Sequence, residues 1–140
     1  MSKIEPNYVA TVTVTGGREG HAVSDDGVLD VQLRRPKQRG VSEGTNPEQL
    51  FAAGWGACFQ SALLSIARSQ EVDASSSTVT VEVGVGPDAD GNYGLGAKIA
   101  VAIPGLDRET AQHLVDAAHQ LCPYSRATRG NIDVEVVLVD

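Results

Sequence analysis

Aromatic side chains are scarce in this sequence of 140 residues, at 4%, although the hydrophobic fraction is an ordinary 41%. A core must therefore be built mainly from Val, Ala, Leu and Ile. The length suits one domain, and we expect a single domain over residues 1–140. A small core with few large rings also favours additional stability from oligomerisation.

The sequence is also poor in positive charge and in long apolar runs. It has 11 Lys and Arg against 18 Asp and Glu, and its net charge of -7 repels nucleic acid and anionic membrane surfaces. No signal-peptide stretch opens the sequence, and no segment approaches the ~20 apolar residues that span a bilayer. We therefore expect a cytoplasmic protein that binds neither nucleic acid nor membranes.

Basic residues are concentrated in a single segment. This basic cluster consists of Arg34, Arg35, Lys37 and Arg39. A Pro and a Gly lie in the same segment, and runs of charge usually mark exposed chain. We interpret the cluster as a solvated loop.

Cysteine is rare as well, with Cys58 and Cys122 as the two present. In a reducing cytosol a permanent disulfide is disfavoured, so the pair indicates reactive or metal-binding thiols. No C-x-x-C or H-E-x-x-H spacing is present, and we expect no metal and no other cofactor. A metal site would need further ligands from His21, His113, His119 and Asp116.

Three short strands are predicted near the N-terminus. Alternating β-branched and small residues indicate a strand over 8–15, and Gly16 and Gly17 supply a turn before a second strand over 21–24. A second turn at 25–27 leads to a third strand over 28–33. The segment should form a meander.

The rest of the chain alternates helices and strands. Asn46 and Pro47 predict the start of a largely buried central helix that runs to about Ser69. Strands over 78–86 and 95–103 form a hairpin, Asp107 caps a second helix that Pro123 stops, and a last strand covers 131–139. The order βββ-α-ββ-α-β is typical of the α+β class.

The two cysteines differ in their predicted settings. Cys58 lies in the middle of the central helix, whereas Cys122 lies where the second helix ends, so its backbone should move more easily. This layout suits an attacking and a resolving cysteine: a peroxide oxidises one thiolate to a sulfenic acid, and the second thiol condenses with it. The alternative is that both are inert core residues.

Three motifs carry a resemblance to a known family. They are GGREG (16–20), NPEQLFAAGWGACF (46–59) and LCPYSRATRGN (121–131). In order and spacing the sequence resembles the Ohr/OsmC family, and in particular its Ohr branch, the organic hydroperoxide resistance proteins. The match spans essentially the whole chain. Departures are Glu19, where Asp is common, and Trp55-Gly56, which replaces the more usual Tyr-Ser.

The resemblance implies an OsmC-like fold, with antiparallel sheets wrapping central helices in an intertwined homodimer. It also implies an oxidoreductase of the oxidative stress response, an antioxidant peroxidase that reduces alkyl or fatty-acid hydroperoxides through a Cys58-Cys122 disulfide. Dihydrolipoamide or a lipoylated protein would then be the reductant. The catalytic residues implied are Arg18, Glu48, Cys58 and Cys122.

The implied role of Arg18 is to stabilise the Cys58 thiolate and the peroxide oxygens, while Glu48 fixes its guanidinium. Lowering a thiol pKa from about 8.5 to about 6 increases the thiolate fraction near pH 7.4 roughly 13-fold, but the lower nucleophilicity offsets most of that gain. We therefore expect acceleration mainly from orienting the peroxide and stabilising charge as the O–O bond breaks.

The positions of residues on the central helix predict two further features of the site, a contribution from a second copy of the chain and a hydrophobic lining. Glu48 and Cys58 are about 15 Å apart along one regular helix and about 80° apart around it, so one Arg18 does not easily reach both. A site completed across the dimer interface would solve this. Phe51, Trp55 and Phe59 are candidates for a hydrophobic substrate lining, with core packing as the alternative.

Other functions remain open at this point. Within the family, a peroxidase of the OsmC branch would have similar chemistry. A non-catalytic thiol redox sensor would form the same Cys58-Cys122 disulfide without turnover. Repeated turnover with a dithiol reductant distinguishes an enzyme from such a sensor.

Overall fold

The structure, a computed structural model, describes residues 2–140. The chain divides into two compact units, one ending at Pro47 and the other comprising Glu48–Asp140. Each unit contains one three-stranded sheet. The expectation that 1–140 behaves as one domain stays a prediction.

The first unit is the predicted meander. Strands β1 (Val12–Thr15), β2 (His21–Ser24) and β3 (Asp30–Gln32) pair antiparallel in the order β1-β2-β3. β1 and β3 are shorter than predicted. A 3-10 helix over Gly17–Glu19 connects β1 to β2.

The basic cluster in this unit is not simply solvated, so that interpretation is wrong for Arg34. Its half-buried side chain binds backbone carbonyls of residues 19, 20 and 33. Arg35 and Lys37 form exposed ion pairs with Glu19 and Glu43. Partial burial costs a guanidinium little free energy when carbonyl oxygens replace the water molecules that accepted its hydrogen bonds.

The second unit contains the helices and the longer strands. In chain order its elements are α1 (Pro47–Ser69), β4 (Thr78–Pro87), β5 (Tyr93–Ala102), α2 (Arg108–Leu121), α3 (Pro123–Thr128) and β6 (Asp133–Val139). α1 has its predicted limits, since a proline at the first position suits a helix start. The carboxylate of Asp107 caps α2 by accepting from the N–H of Thr110 at 3.0 Å, as predicted.

The second sheet differs from the prediction of antiparallel sheets in one pairing. β4 and β5 form an antiparallel hairpin, but β6 pairs parallel with β5. The β5–β6 connection contains two helices, and such a crossover returns the chain to the same end of the sheet before the next strand begins. The sheet is therefore mixed, with order β4-β5-β6.

The core of the second unit lies between its helices and its sheet. α1 contributes Trp55, Phe59 and Leu63, each fully buried. The predicted apolar stripe of α2 is buried from Ala111 to Ala118, but Leu121 is 60% exposed because α2 ends there and the chain turns into α3. Further core residues are Ala67, Ala74, Ile99, Val101, Ile103, Leu114, Val115 and Cys122.

The prediction that α1 is buried on most sides is wrong within this chain. One face of the helix is exposed along its length, and its residues are Gln49, Ala53, Ala57, Ser61 and Ser65. By length and composition alone, α1 is also long and apolar enough to cross a membrane, contrary to expectation, with mean hydropathy 1.5 over 18 residues. A core helix of a soluble protein meets the same criterion, so this finding assigns no membrane role.

Candidate functional site

The two cysteines of the second unit are both free thiols. Cys58 lies in the middle of α1 and is half-buried, whereas Cys122 is fully buried. The Cys58 sulfur is within hydrogen-bonding reach of the Cys122 thiol and of the backbone N–H of Tyr124. The structure thus brings together two thiols that are 64 positions apart in the sequence.

Cys122 reaches this position because it joins two helices. Its N–H donates to the carbonyl of Ala118 at 2.8 Å, closing α2, and its own carbonyl accepts from the N–H of Arg126 at 2.9 Å, opening α3. Its ψ of 121° turns the chain out of the helical region, as the following Pro123 requires. α2 ends before Pro123 as predicted, and Cys122 keeps a backbone hydrogen bond on each side. The easier movement of its backbone stays a prediction.

The surroundings of Cys58 disfavour its thiolate. Burial is the largest cause that raises its pKa, and the Cys122 thiol raises it further, while the N–H of Tyr124 acts in the opposite direction. Removing a thiolate from water without a matching charge favours the protonated form. The direction is opposite to the stabilisation of the Cys58 thiolate that the resemblance implied.

Aromatic side chains join α1 to α3 beside the thiols. The ring of Phe51 contacts Trp55 and Tyr124, with ring centroids 5.5 and 6.2 Å apart. The indole N–H of Trp55 donates to the hydroxyl of Ser125 at 3.1 Å, and both side chains are fully buried. This contact fixes the start of α3, where Cys122 lies, against the helix that carries Cys58.

The three predicted lining residues lie in different environments. Phe51 is partly exposed, while Trp55 and Phe59 are wholly buried in the core. In this conformation Phe51 is therefore the one of the three that presents surface to solvent. The assignment of all three to substrate binding stays a prediction.

A histidine on α2 flanks the same region. The ring of His119 lies 6.4 Å from the ring of Phe59, the neighbour of Cys58. Burial lowers the pKa of His119, the charge of Arg129 lowers it further, and Asp116 opposes them. Its buried Nδ1 has no hydrogen-bond partner among residues 2–140, so the neutral ring is favoured at neutral pH.

Arg18 and Glu48 occupy the elements that the sequence indicated. Arg18 is exposed in the 3-10 helix of the first unit. Glu48 is half-buried in the first turn of α1, where its charge suits the helix dipole. Both make interactions within the structure. Their catalytic roles stay predictions.

Metal binding finds no support among the described residues. Within 2–140, no three His, Cys, Asp or Glu side chains are grouped so that they could hold an ion. His113, Asp116 and His119 lie on α2 at steps of three residues, which spread around a helix.

Sequence reasoning missed two contributors to the site. One is Ser125, the partner of Trp55, and the other is the main chain of Tyr124, whose N–H faces the Cys58 sulfur. α3 itself was not predicted, because Pro123 was interpreted only as the end of α2. A proline is equally favourable at the first position of a new helix, and that signal could have identified α3.

Comparison with known proteins identifies the family. The model of the family described as OsmC-like protein matches residues 40–137. The organic hydroperoxide resistance protein OhrB of Bacillus subtilis is 47% identical over 94% of this chain and 97% of its own length. This chain belongs to the OsmC family. An organic hydroperoxide resistance protein of Xanthomonas axonopodis pv. citri is also 47% identical, over 94% of each chain.

Solved structures of the OsmC family confirm the fold. The crystal structure of OhrB of Bacillus subtilis superposes with a TM-score of 0.85, covering 94% of this chain and 98% of that chain. An organic hydroperoxide resistance protein from Elizabethkingia anophelis gives 0.88 at 45% identity, covering 98% and 99%. The α+β, OsmC-like fold and the resemblance to this family are therefore confirmed.

Proposed function

We propose that this chain is a thiol peroxidase that reduces organic hydroperoxides to alcohols. The observation that carries the proposal is the contact between the free thiols of Cys58 and Cys122. The relatives named as organic hydroperoxide resistance proteins support the choice of substrate class. The half-buried Cys58 is the attacking residue, because the fully buried Cys122 offers no surface to a peroxide.

The reaction proceeds in two steps at sulfur. The Cys58 thiolate attacks one peroxide oxygen, the O–O bond breaks, and the alkoxide leaves as an alcohol after taking a proton. Cys58 is now a sulfenic acid. The Cys122 sulfur then attacks the Cys58 sulfur, a water leaves, and a disulfide forms. A dihydrolipoyl dithiol, free or protein-bound, returns both thiols by disulfide exchange.

Charged residues supply the remaining chemistry in this proposal. The guanidinium of Arg18 orients the peroxide and stabilises the charge that develops on the leaving oxygen. Glu48 pairs with Arg18 and fixes its orientation. The raised pKa of Cys58, caused by burial and by the Cys122 thiol, fits a mechanism in which orientation and charge stabilisation supply the rate.

A homodimer is part of the proposal. The exposed face of α1 has Ala and Ser at four of its five positions, and such residues let another helix approach closely. Arg18, Glu48 and Cys58 would then form a site completed by two copies of the chain. A cytoplasmic location fits the two free thiols, since a reducing compartment maintains them.

The central experiment measures consumption of tert-butyl hydroperoxide by purified protein with dihydrolipoamide as reductant. Wild type should turn over many times, Cys58→Ser should be inactive, and Cys122→Ser should lose the disulfide and become over-oxidised at Cys58. Ala89→Ser, in the exposed turn between β4 and β5, is the matched control. One stoichiometric oxidation without turnover would instead identify a redox sensor.

Mixed dimers test whether two copies share the site. Glu48→Ala and Cys58→Ser homodimers should each be nearly inactive. If each site takes these residues from different copies, mixing the two variants restores part of the activity. Unrestored activity after verified subunit exchange would place Glu48 and Cys58 of one chain in the same site.

Preference for organic peroxides is the finer part of the substrate proposal. A lining that includes Phe51 favours alkyl groups over water-sized substrates. The ratio of kcat/KM for cumene hydroperoxide to that for hydrogen peroxide should fall in Phe51→Ala. Equal kcat/KM for the two peroxides in wild type would contradict the preference.

A further inference from the structure

The turn that carries Arg18 is closed by two glycines in close contact. Gly16 has a left-handed φ of 77°, and a Cβ there would lie 2.8 Å from the Cα of Gly20. A Cβ on Gly20 would lie 1.7 Å from the carbonyl oxygen of Thr15. Because the two ends of the turn lie this close together, neither position can accept a side chain without movement of the backbone.

Hydrogen bonds within the turn are too long to close it well. The N–H of Glu19 donates to Gly16 at 3.3 Å, and that of Gly20 donates to Gly17 at 3.2 Å. Both distances lie at or beyond the upper end of the range for N–H···O bonds. The carbonyls at the end of a short helix also lack partners inside it. The β1–β2 ladder pairs Thr15 with His21 at the base of the turn, and the N–H of Leu33 donates to the carbonyl of Gly20 at 2.9 Å. A side-chain group outside the turn also binds its end.

Arg34 supplies that group. Its Nη1 lies 3.0 Å from the carbonyl oxygens of Glu19 and Gly20 and 2.6 Å from that of Leu33. Its Nη2 donates to the side-chain oxygen of Gln32 at 3.2 Å. Hydrogen bonds from a charged donor are roughly twice as strong as neutral ones. One side chain thus binds both the end of the turn and the strand beside it.

Arg34 is in turn held by the main chain around it. Its N–H donates to the carbonyl of Thr45 at 2.9 Å. A Cβ on Gly44 would lie 3.0 Å from the Cγ of Arg34, so the missing side chain leaves room for the stem. The carboxylate of Glu19 accepts from the N–H of Arg35 at 3.1 Å. The residue that follows Arg18 is therefore fixed through both its carbonyl and its carboxylate.

We propose that Arg34 is a positioning residue, whose guanidinium fixes the Gly16–Gly20 turn so that Arg18 is presented in one orientation. The inference rests on the proposed catalytic role of Arg18. A guanidinium is suited to the task because it is always charged and presents several donors in a fixed plane. Small misplacements of an orienting group have large effects on rate, which is why a residue remote from the sulfur matters.

The test combines activity with exchange of backbone amides. Arg34→Ala should lower kcat/KM for tert-butyl hydroperoxide by about 10- to 100-fold. It should also speed hydrogen–deuterium exchange in residues 16–21. Arg34→Lys keeps the charge and one donor centre, and we expect it to recover part of the rate. Arg39→Ala removes the same charge from an exposed position in the same cluster and should change neither readout.

Comparison with Arg18→Ala separates positioning from general destabilisation. If Arg34 acts through Arg18, then Arg34→Ala causes little further loss in an Arg18→Ala background, because coupled residues are not additive. Losses that multiply, or unchanged exchange in residues 16–21 of Arg34→Ala, would overturn the inference. If Arg18→Ala alone keeps the wild-type rate, the proposed role of Arg18 fails, and exchange then decides whether Arg34 holds the turn.

Discussion

The indole N–H of Trp55 in α1 donates to the hydroxyl of Ser125 in α3 at 3.1 Å, and neither side chain is exposed to solvent. Trp55 precedes Cys58 by one turn of helix, and Ser125 follows Cys122 by three residues. The bond therefore links the two segments whose sulfur atoms must meet. The bond also gives a partner to the indole N–H of Trp55, which would otherwise be an unsatisfied donor in an apolar core.

Loss of this hydrogen bond should be visible in stability. Ser125→Ala leaves the Trp55 N–H buried and unpaired, which should lower the free energy of unfolding by about 1–3 kcal/mol. Urea denaturation measures the change as a shift in midpoint at constant slope. Ser2→Ala, at an exposed position outside the helices and strands, is the control and should shift the midpoint little. Equal midpoints for Ser125→Ala and wild type would contradict a stabilising role.

The reactivity of Cys58 should depend on pH in a specific direction. Because burial and Cys122 raise its pKa, the rate of alkylation by iodoacetamide should rise with pH to a midpoint above the ordinary thiol value of about 8.5. Cys122→Ala removes a group that raises the pKa, so the midpoint should fall. Mass spectrometry of the peptide containing Cys58 gives the rate. A wild-type midpoint below the ordinary value would mean that a positive charge outweighs burial.

The close approach at Gly20 predicts a severe effect of a single methyl group. Gly20→Ala forces the backbone away from Thr15 and should displace Arg18, lowering peroxide turnover about 10-fold or more. Gly94→Ala is the matched control, because a Cβ there has no atom within 4 Å. Circular dichroism should show that both variants are folded. Wild-type turnover in Gly20→Ala would show that the turn tolerates a shift.

The exposed face of α1 predicts how the proposed dimer can be disrupted. Ala57→Glu places a charge on this face, and burying it without a partner should make the dimer dissociate. Sedimentation velocity should give a dimer for wild type and a monomer for this variant. Ala89→Glu, in the exposed turn between β4 and β5, should stay dimeric. A dimeric Ala57→Glu would place the interface elsewhere.

Much of the fold could be predicted from local signals. The limits of α1 follow from Asn46 and Pro47 at one end, and the cap of α2 follows from Asp107. The hairpin of β4 and β5 follows from alternation and a turn-rich connection. Capping, proline geometry and side-chain alternation act over a few residues, so they can be recognised without any tertiary contact.

Other predictions failed where the structure depends on contacts between segments that are distant in the sequence. Arg34 was interpreted as solvated because nothing near it in the sequence shows that the carbonyls of Glu19 and Gly20 are its partners. The parallel pairing of β6 depends on a crossover through two helices. Burial of α1 was overestimated because one of its faces consists of small residues that this chain leaves exposed.

By itself the sequence determined the order of the elements, the positions of the two cysteines on them, and a resemblance to the family that the comparisons confirmed. Only the tertiary structure decided that Cys58 is half-buried beside a fully buried Cys122, that Ser125 receives the Trp55 N–H, and that Arg34 binds the carbonyls of Glu19 and Gly20. Local signals act within one element, whereas burial and long-range hydrogen bonds exist only after separate elements have packed together.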